Sequence, residues 1–485
     1  MWSRKQDRVT QRHDTGCLLA YIASIAFGSQ FRLARRRSFA SLTPACLASR
    51  KSRHHASWTG GKRFGHFEAS WMRIVFLNML CLVLFLTPSI AGAQASSPSP
   101  APVASPATTS LSPIEIAKDR IETMLRTGHA DPAWFSASFL AQVPASKLDE
   151  IIASITSSLG KYESVEFTPA KFIARFVSGT DDILIHLDAE NKIDGLLFRP
   201  PVATAKSLDD ALHTLRAKPG TLSYVITEEG HPNLAALNPS ASLAVGSAFK
   251  LAVLNALRDQ ITHGARHWSD VVPLRKQWKT LPTGVLRTWP DGTPLTLATY
   301  AAEMISISDN TAADALVRIV GATALRPYAA GNVPFLTTRE MFVLKSNEGA
   351  GLGKAYLAAK TAASRATVLA RVDALPLPAA SQLLAAPEPA IEWHYSVRQL
   401  CRMIGRVSNV PLMSINPGVA DPTAFRHVAF KGGSDVGIIN LTTMVTTLRG
   451  SRICFSATLN DPAHAVNELG FETAYATVLH YIAGL

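Results

Sequence analysis

Residues 94–113 (QASSPSPAPVASPATTSLSP) contain no charged side chain and consist mostly of Pro, Ser and Ala. Such a stretch has too few large apolar groups to bury a core, and its composition favours an extended linker. It cuts the 485-residue chain in two. A compact fold has to be built from the residues on its C-terminal side, because the N-terminal segment has a different character. Residues 1–93 hold 14 Lys and Arg against 3 Asp and Glu, whereas the remainder holds 34 against 33. The net charge of +12 therefore belongs to the leading segment. A polyanion-binding surface on the folded part is not supported, so nucleic acid is excluded as an expected partner.

Within the leading segment, Met72-Arg73 precedes an apolar run, Ile74–Leu86, followed by Thr87-Pro88 and then Ala91-Gly92-Ala93. A basic start, a short apolar core and small residues at a cleavage point make residues 72–93 a signal peptide, cut after Ala93. The run is too short to span a bilayer comfortably. No cysteine sits where a lipid anchor needs one, so the expected product is exported, periplasmic or secreted, with no stable membrane anchor. Residues 1–71 read either as a targeting extension or as sequence upstream of a true start at Met72, and the second reading is the simpler.

Five cysteines are present, and only Cys401 and Cys454 lie beyond the leading segment. Two cysteines make no disulfide framework, and no C-x-x-C pair offers zinc a site. A single Cys401–Cys454 bond is open to an oxidising compartment, but the expectation is two small buried hydrophobes.

Residues 114–201 read as a small α+β domain. Leu148, Ile151, Ile152, Ile155 and Leu159 follow helical spacing. Ser146 with Asp149 resembles a capping box, and Gly160 is a stop. Strands are expected over 171–177, 182–188 and 192–198. His186, Asp188 and Asp194 there read as a solvated strand face rather than as catalytic groups.

Three motifs in residues 207–485 carry the chemistry. Ser247-Ala248-Phe249-Lys250 heads an apolar helix. Its i, i+3 spacing puts an amine one turn from a hydroxyl. Serine is a poor nucleophile until something takes its proton, and a desolvated lysine can do so. Helix N-terminal amides can receive the developing oxyanion. S-x-x-K alone is weak evidence, and Ser158-Leu159-Gly160-Lys161 is a decoy at a helix end. Ser308-Asp309-Asn310 follows 61 residues after Ser247. By itself it reads as a turn and helix cap. Lys431-Gly432-Gly433-Ser434 follows 123 residues later. It is placed at the end of a strand over 427–430, where the two glycines permit close backbone approach.

These three motifs, in this order, resemble those of the serine β-lactamases and penicillin-binding proteins, and the first spacing resembles class A. The resemblance implies an α/β (α+β) sandwich with an all-helical lobe, preceded here by a small cystatin- or isomerase-like domain. That domain order is similar to the two-domain β-lactamase-like proteins of clavulanic-acid gene clusters. It further implies Ser247 as nucleophile, Lys250 as general base and Ser308 as proton shuttle. Asn310, Lys431, Gly433 and Ser434 would bind substrate, with no metal and no cofactor. The expected substrate is a small molecule, a β-lactam or a related ester or amide bearing a carboxylate. Esterase, D-Ala-D-Ala peptidase and a sensor that acylates without turnover are the rival activities.

Two departures stand out. Gly432 occupies the position of the family's usual Thr. The E-x-x-L-N segment, whose Glu activates the deacylating water, has no counterpart. Glu340, 32 residues past Ser308, is the nearest candidate for that base, although a Glu beside an Arg usually forms a structural pair.

Overall fold

The computed structural model describes residues 111–485. The leading extension, the signal peptide and nearly all of the linker lie outside the described residues. The chain begins with α1 (Pro113–Thr127), opened by a capping box between Ser112 and Glu115. After two short helical turns, Pro132–Trp134 and Ala137–Leu140, comes α2 (Ala145–Leu159). Leu148, Ile152, Ile155 and Leu159 form its buried stripe, as their spacing requires. Its start differs from the sequence expectation. Pro144 is the N-cap with no side-chain cap bond. Asp149 instead accepts from the Ala130 amide at 2.8 Å and pairs with His129, which ties α2 to the loop before it.

Strands β1 (Tyr162–Thr168), β2 (Lys171–Phe176), β3 (Gly179–Leu187) and β4 (Ile193–Phe198) form an antiparallel meander, and β5 (Val202–Ala203) pairs with β3. The sequence pattern does not predict β1. Its residues are almost wholly exposed, with only Val165 buried, so it carries no alternation to detect. His186 and Asp194 pair on the exposed face of this sheet. The decoy Ser158 donates to the Ser154 carbonyl of its own helix.

The second sheet is antiparallel in the order β10 (Phe425–Asp435), β11 (Ile438–Thr447), β12 (Arg452–Asn460), β6 (Thr221–Glu228), β7 (Asn233–Leu237). Strand alternation fills two cores. Leu222, Tyr224 and Ile226 of β6 face the core made with α3 (Leu208–Arg216) and the last helix, α11 (Glu468–Ala483). Val225 faces the opposite core with α4 (Lys250–Thr262) and α10 (Val397–Val407). That core continues into a helical region holding α5 (Leu297–Ser306), α6 (Asn310–Leu325), α7 (Thr338–Leu344), α8 (Ala350–Ala358) and α9 (Ala362–Asp373). The result is a mixed α/β fold with helices on both faces of the sheet.

Cys401 of α10 and Cys454 of β12 are bonded to each other. They are indeed buried, but as a cross-link and not as two separate hydrophobes. Helical periodicity places Cys401 on the inner face of α10, and strand alternation places Cys454 on the matching face of β12. Only the packing brings the two thiols into register.

Candidate active site

The site is assembled where the turn before α4, the turn before α6 and the middle of β10 meet. Strand β8 (Leu243–Ala244) pairs with β9 (His394–Tyr395) and leads into the turn Gly246–Phe249. That turn is a 3-10 segment, and Lys250 is the first residue of α4. In 3-10 geometry residues i and i+3 eclipse one another. The Lys250 amine consequently lies 3.1 Å from the Ser247 hydroxyl. The turn is held from behind by Trp393, whose ring stacks on Phe249 at 3.7 Å between centroids. An aromatic pair of this kind contributes about 0.5–1.5 kcal/mol beyond its buried area.

Lys250 is completely buried and gathers the second motif around it. It lies 2.9 Å from the Ser308 hydroxyl and 2.7 Å from Asn310 Oδ1, and it also donates to the Ser308 carbonyl. Ser308 sits in the left-handed region at φ 58°, a costly conformation for a residue with a Cβ. The surroundings enforce it. Thr283 Oγ1 donates to the Ser308 carbonyl at 2.6 Å. Asp309 caps α6 through Ala312 and also accepts from the Val285 and Leu286 amides. Asp309 lies so close to Gly284 that a Cβ there would meet its carboxylate at 2.2 Å. Asn310 donates its side-chain amide to the Leu281 carbonyl, so its orientation is fixed from both ends.

The third motif closes the site. Lys431 donates to the Ser308 hydroxyl at 3.1 Å, so one hydroxyl bridges two amines. Burial, followed by repulsion from Lys250, holds the Lys431 amine well below the ordinary lysine range. β10 continues through Lys431–Ser434 to Asp435 and pairs with β11 throughout. The motif is thus strand interior, and not the strand end expected from the glycines. Gly433 has a specific purpose there. A Cβ on it would lie 2.3 Å from the Ser247 amide nitrogen and 2.4 Å from the Val245 carbonyl. Only a bare backbone lets β10 lie against the nucleophile turn. Gly432 faces Phe430 and Leu441 instead, away from Ser247.

Ser247 and Ser308 are half-buried and Ser434 is exposed, which leaves a rim reachable from solvent above two buried lysines. The Glu468 carboxyl lies beside Ser434, and burial pushes it above its usual range. Local sequence does not point to this acid beside Ser434, because Glu468 lies 34 positions further along the chain.

Glu340 is not brought to this group. Its Oε1 accepts from Arg318 at 3.0 Å and its Oε2 from the Thr337 amide in a capping box at the start of α7. Asp314, one turn beyond Asn310 on α6, accepts from the Thr338 and Arg339 amides, and burial raises its carboxyl to about 7. Its i+4 relation to Asn310 is a sequence signal for this buried acid that the three motifs by themselves pass over.

Behind Ser434 lies a buried cluster. Lys345 donates to Glu392 and Asp435, each at 2.8 Å. It thereby ties the end of α7 to the segment entering β9 and to the end of β10.

Residues 204–386 match the family model described as the beta-lactamase enzyme family, a match that ends before Lys431. No curated protein matches the chain. Similar solved structures include a beta-lactamase from Sphaerobacter thermophilus DSM 20745, 19% identical, covering 57% of this chain and 97% of that one at TM-score 0.40. Another is PBP-A, 15% identical, covering 59% and 100% at TM-score 0.39. A third is a beta-lactamase from Chitinophaga pinensis DSM 2588, 19% identical, covering 57% and 98% at TM-score 0.39.

Proposed function

We propose, from the match of residues 204–386 to the beta-lactamase enzyme family model and from the geometry of the three motifs, that this chain is a serine hydrolase of the class A β-lactamase type, acting through an acyl-serine. The observation that carries the reading is the amine of Lys250, within hydrogen-bond reach of both the Ser247 and the Ser308 hydroxyls. Lys250 takes the proton of Ser247 as its oxygen attacks a strained amide or ester carbonyl. Backbone amides at the nucleophile turn, including that of Ser247, receive the oxyanion. Ser308, held between Lys250 and Lys431, returns a proton to the leaving nitrogen. Lys431, Gly433 and Ser434 hold the substrate edge, and Asn310 orients Lys250.

Release of the acyl group is the slow step in this reading. Glu340 is the acid nearest to the expected place in sequence, and its carboxylate is committed to Arg318 and Thr337. The same observation favours a second reading, a penicillin-binding sensor that acylates and does not turn over. An esterase or D-Ala-D-Ala peptidase uses the same groups. The small domain, residues 114–201, is proposed as a cystatin- or isomerase-like unit that supports the hydrolase domain. Export to the periplasm or medium is supported by the residue 72–93 pattern and by the Cys401–Cys454 bond, since disulfides persist in oxidising compartments.

Intact-mass spectrometry after incubation with benzylpenicillin tests the acylation. One added penicillin per chain is expected, absent in Ser247→Ala. Nitrocefin and p-nitrophenyl ester turnover then separate lactamase from esterase. An adduct with no product beyond one equivalent identifies the sensor. No adduct and no Ser247-dependent turnover of either substrate would sink the reading.

A further inference from the structure

The helix that presents Asn310 to Lys250 has a second environment further along its length. Beyond Asp314, a cavity of about 670 Å³ opens between α6, the segment 266–278 and the first turn of α7. Four arginines line it: Arg266, Arg275, Arg318 and Arg339. None of Ser247, Lys250, Ser308, Lys431 and Ser434 does.

The charges on this wall do not cancel. Arg318 is answered by Glu340 at 3.0 Å and Asp373 at 3.8 Å. Arg266 spends its guanidinium on neutral acceptors, the Gln260 side chain and the Ile319 carbonyl. Arg339 donates to the Leu375 carbonyl. Arg275 lies over the Trp278 ring, 5.0 Å from its centroid. Among the described residues, Arg266, Arg275 and Arg339 form no ion pair with a carboxylate. Asp314, also on the wall, has both oxygens occupied by backbone amides. Three guanidiniums therefore share one concavity without a carboxylate ion pair of their own, and with Arg318 they outnumber the two carboxylates on the wall, Asp314 and Asp373.

Like charges gathered on a concave wall focus a positive potential and raise the local concentration of anions. Guanidinium groups present planar donor forks that fit the paired oxygens of carboxylates and phosphates. A cavity of this volume suits a ligand of metabolite size. We propose that the cavity is a binding site for a small multivalent oxyanion, a phosphate- or carboxylate-bearing molecule with at least two negative charges. The site is separate from the acyl chemistry and stands whether or not Ser247 is a nucleophile.

Isothermal titration calorimetry of the full chain with inorganic pyrophosphate, and separately with citrate, tests it at an ionic strength fixed by sodium chloride. Saturable one-site binding of at least one of the two is expected. The melting temperature should climb with the logarithm of ligand concentration. Arg275→Ala removes an exposed side chain that makes no hydrogen bond, and it should weaken binding at least tenfold. Arg287→Ala, an exposed arginine outside the cavity, should leave binding unchanged. If Arg275→Ala does not fold, Arg339→Gln is read in the same way. Pyrophosphate binding without citrate binding assigns a phosphate ligand, and the reverse assigns a carboxylate. No saturable binding of either, or equal affinity in the wild-type chain and the cavity variants, overturns the proposal.

Discussion

Two single residues, Gly433 and Glu468, bear on the site from beside its reacting groups. Gly433 is defined by the atoms it lacks. A methyl group there would meet Ser247 N at 2.3 Å and Ala248 N at 2.5 Å, both backbone atoms that cannot swing aside. Gly433→Ala is expected to push β10 off the nucleophile turn, cutting the acylation rate at least a hundredfold and lowering the melting temperature. Stopped-flow acylation and thermal denaturation read the two effects. An unchanged acylation rate would mean that the turn moves freely. Glu468 acts through charge. It lies beside Ser434, and a substrate held by Lys431 and Ser434 through its carboxylate would bring a second negative charge there. Two like charges near a protein surface repel by on the order of 1 kcal/mol or more. Glu468→Gln is therefore expected to lower KM for benzylpenicillin about fivefold. The gain should increase with pH, because the native carboxyl ionises later than usual. Steady-state kinetics at pH 6 and pH 8 check the direction.

At the scale of elements, the junction of α7, β9 and β10 is tied by Lys345, Glu392 and Asp435. Burial, opposed by Lys345, raises the Glu392 carboxyl to about 7, while Lys345 and neighbouring donors hold Asp435 below its ordinary range despite burial. Glu392 binds its proton more tightly in the folded chain than in the unfolded one. Between about pH 4.5 and 7 the folded state holds the extra proton, so this group's contribution to stability falls as pH rises. Asp435 has the opposite sign, but its window lies in acid, below its unfolded value. Glu392→Gln should flatten the decline in stability between pH 5 and pH 7.5 by on the order of 1–3 kcal/mol. Urea denaturation at the two pH values measures it, and a slope unchanged from wild type would remove Glu392 as its source. Asp314 adds to the wild-type slope in the same direction, so the variant reduces the decline without abolishing it. The Cys401–Cys454 bond belongs to the same scale, since it fastens α10 to β12 across the sheet face behind the site.

At the scale of the whole molecule, the polar contacts between the small α+β unit and the larger fold, among the described residues, come from Lys171 and Ala203. Lys171 of β2 reaches Asp421, in the loop before β10, at 2.8 Å, and also pairs with Asp182. The Ala203 amide donates to Thr477 of α11. Burial disfavours the Lys171 charge, and Asp182 and Asp421 outweigh it, so the amine is raised above its usual range. Lys171→Met leaves two carboxylates facing each other. It should cost on the order of 1–3 kcal/mol, with kcat/KM toward an ester substrate unchanged. Differential scanning calorimetry and steady-state rates check both parts. A fall in kcat/KM would instead give the small domain a part in catalysis.

The sequence alone determined what local pattern can determine. The buried stripe of α2 follows from its 3.6-residue period, and the pairing of Ser247 with Lys250 follows from one helical turn. The order of the three motifs was sufficient to name a resemblance. Spacing could not show how those motifs meet, because their contacts span 58 and 123 positions, and such contacts depend on how sheet and helices pack. The exposed β1 lacked any alternation. The run through Lys431–Ser434 reads as a strand end because its glycines look like a turn until Ser247 is placed against them. Glu340 stands at a plausible distance along the chain, yet its capping box and Arg318 fix where its charge goes. Tertiary structure also decided the Cys401–Cys454 bond and the arginine-lined cavity. In both, side chains far apart in sequence are brought together only when the core behind them is buried.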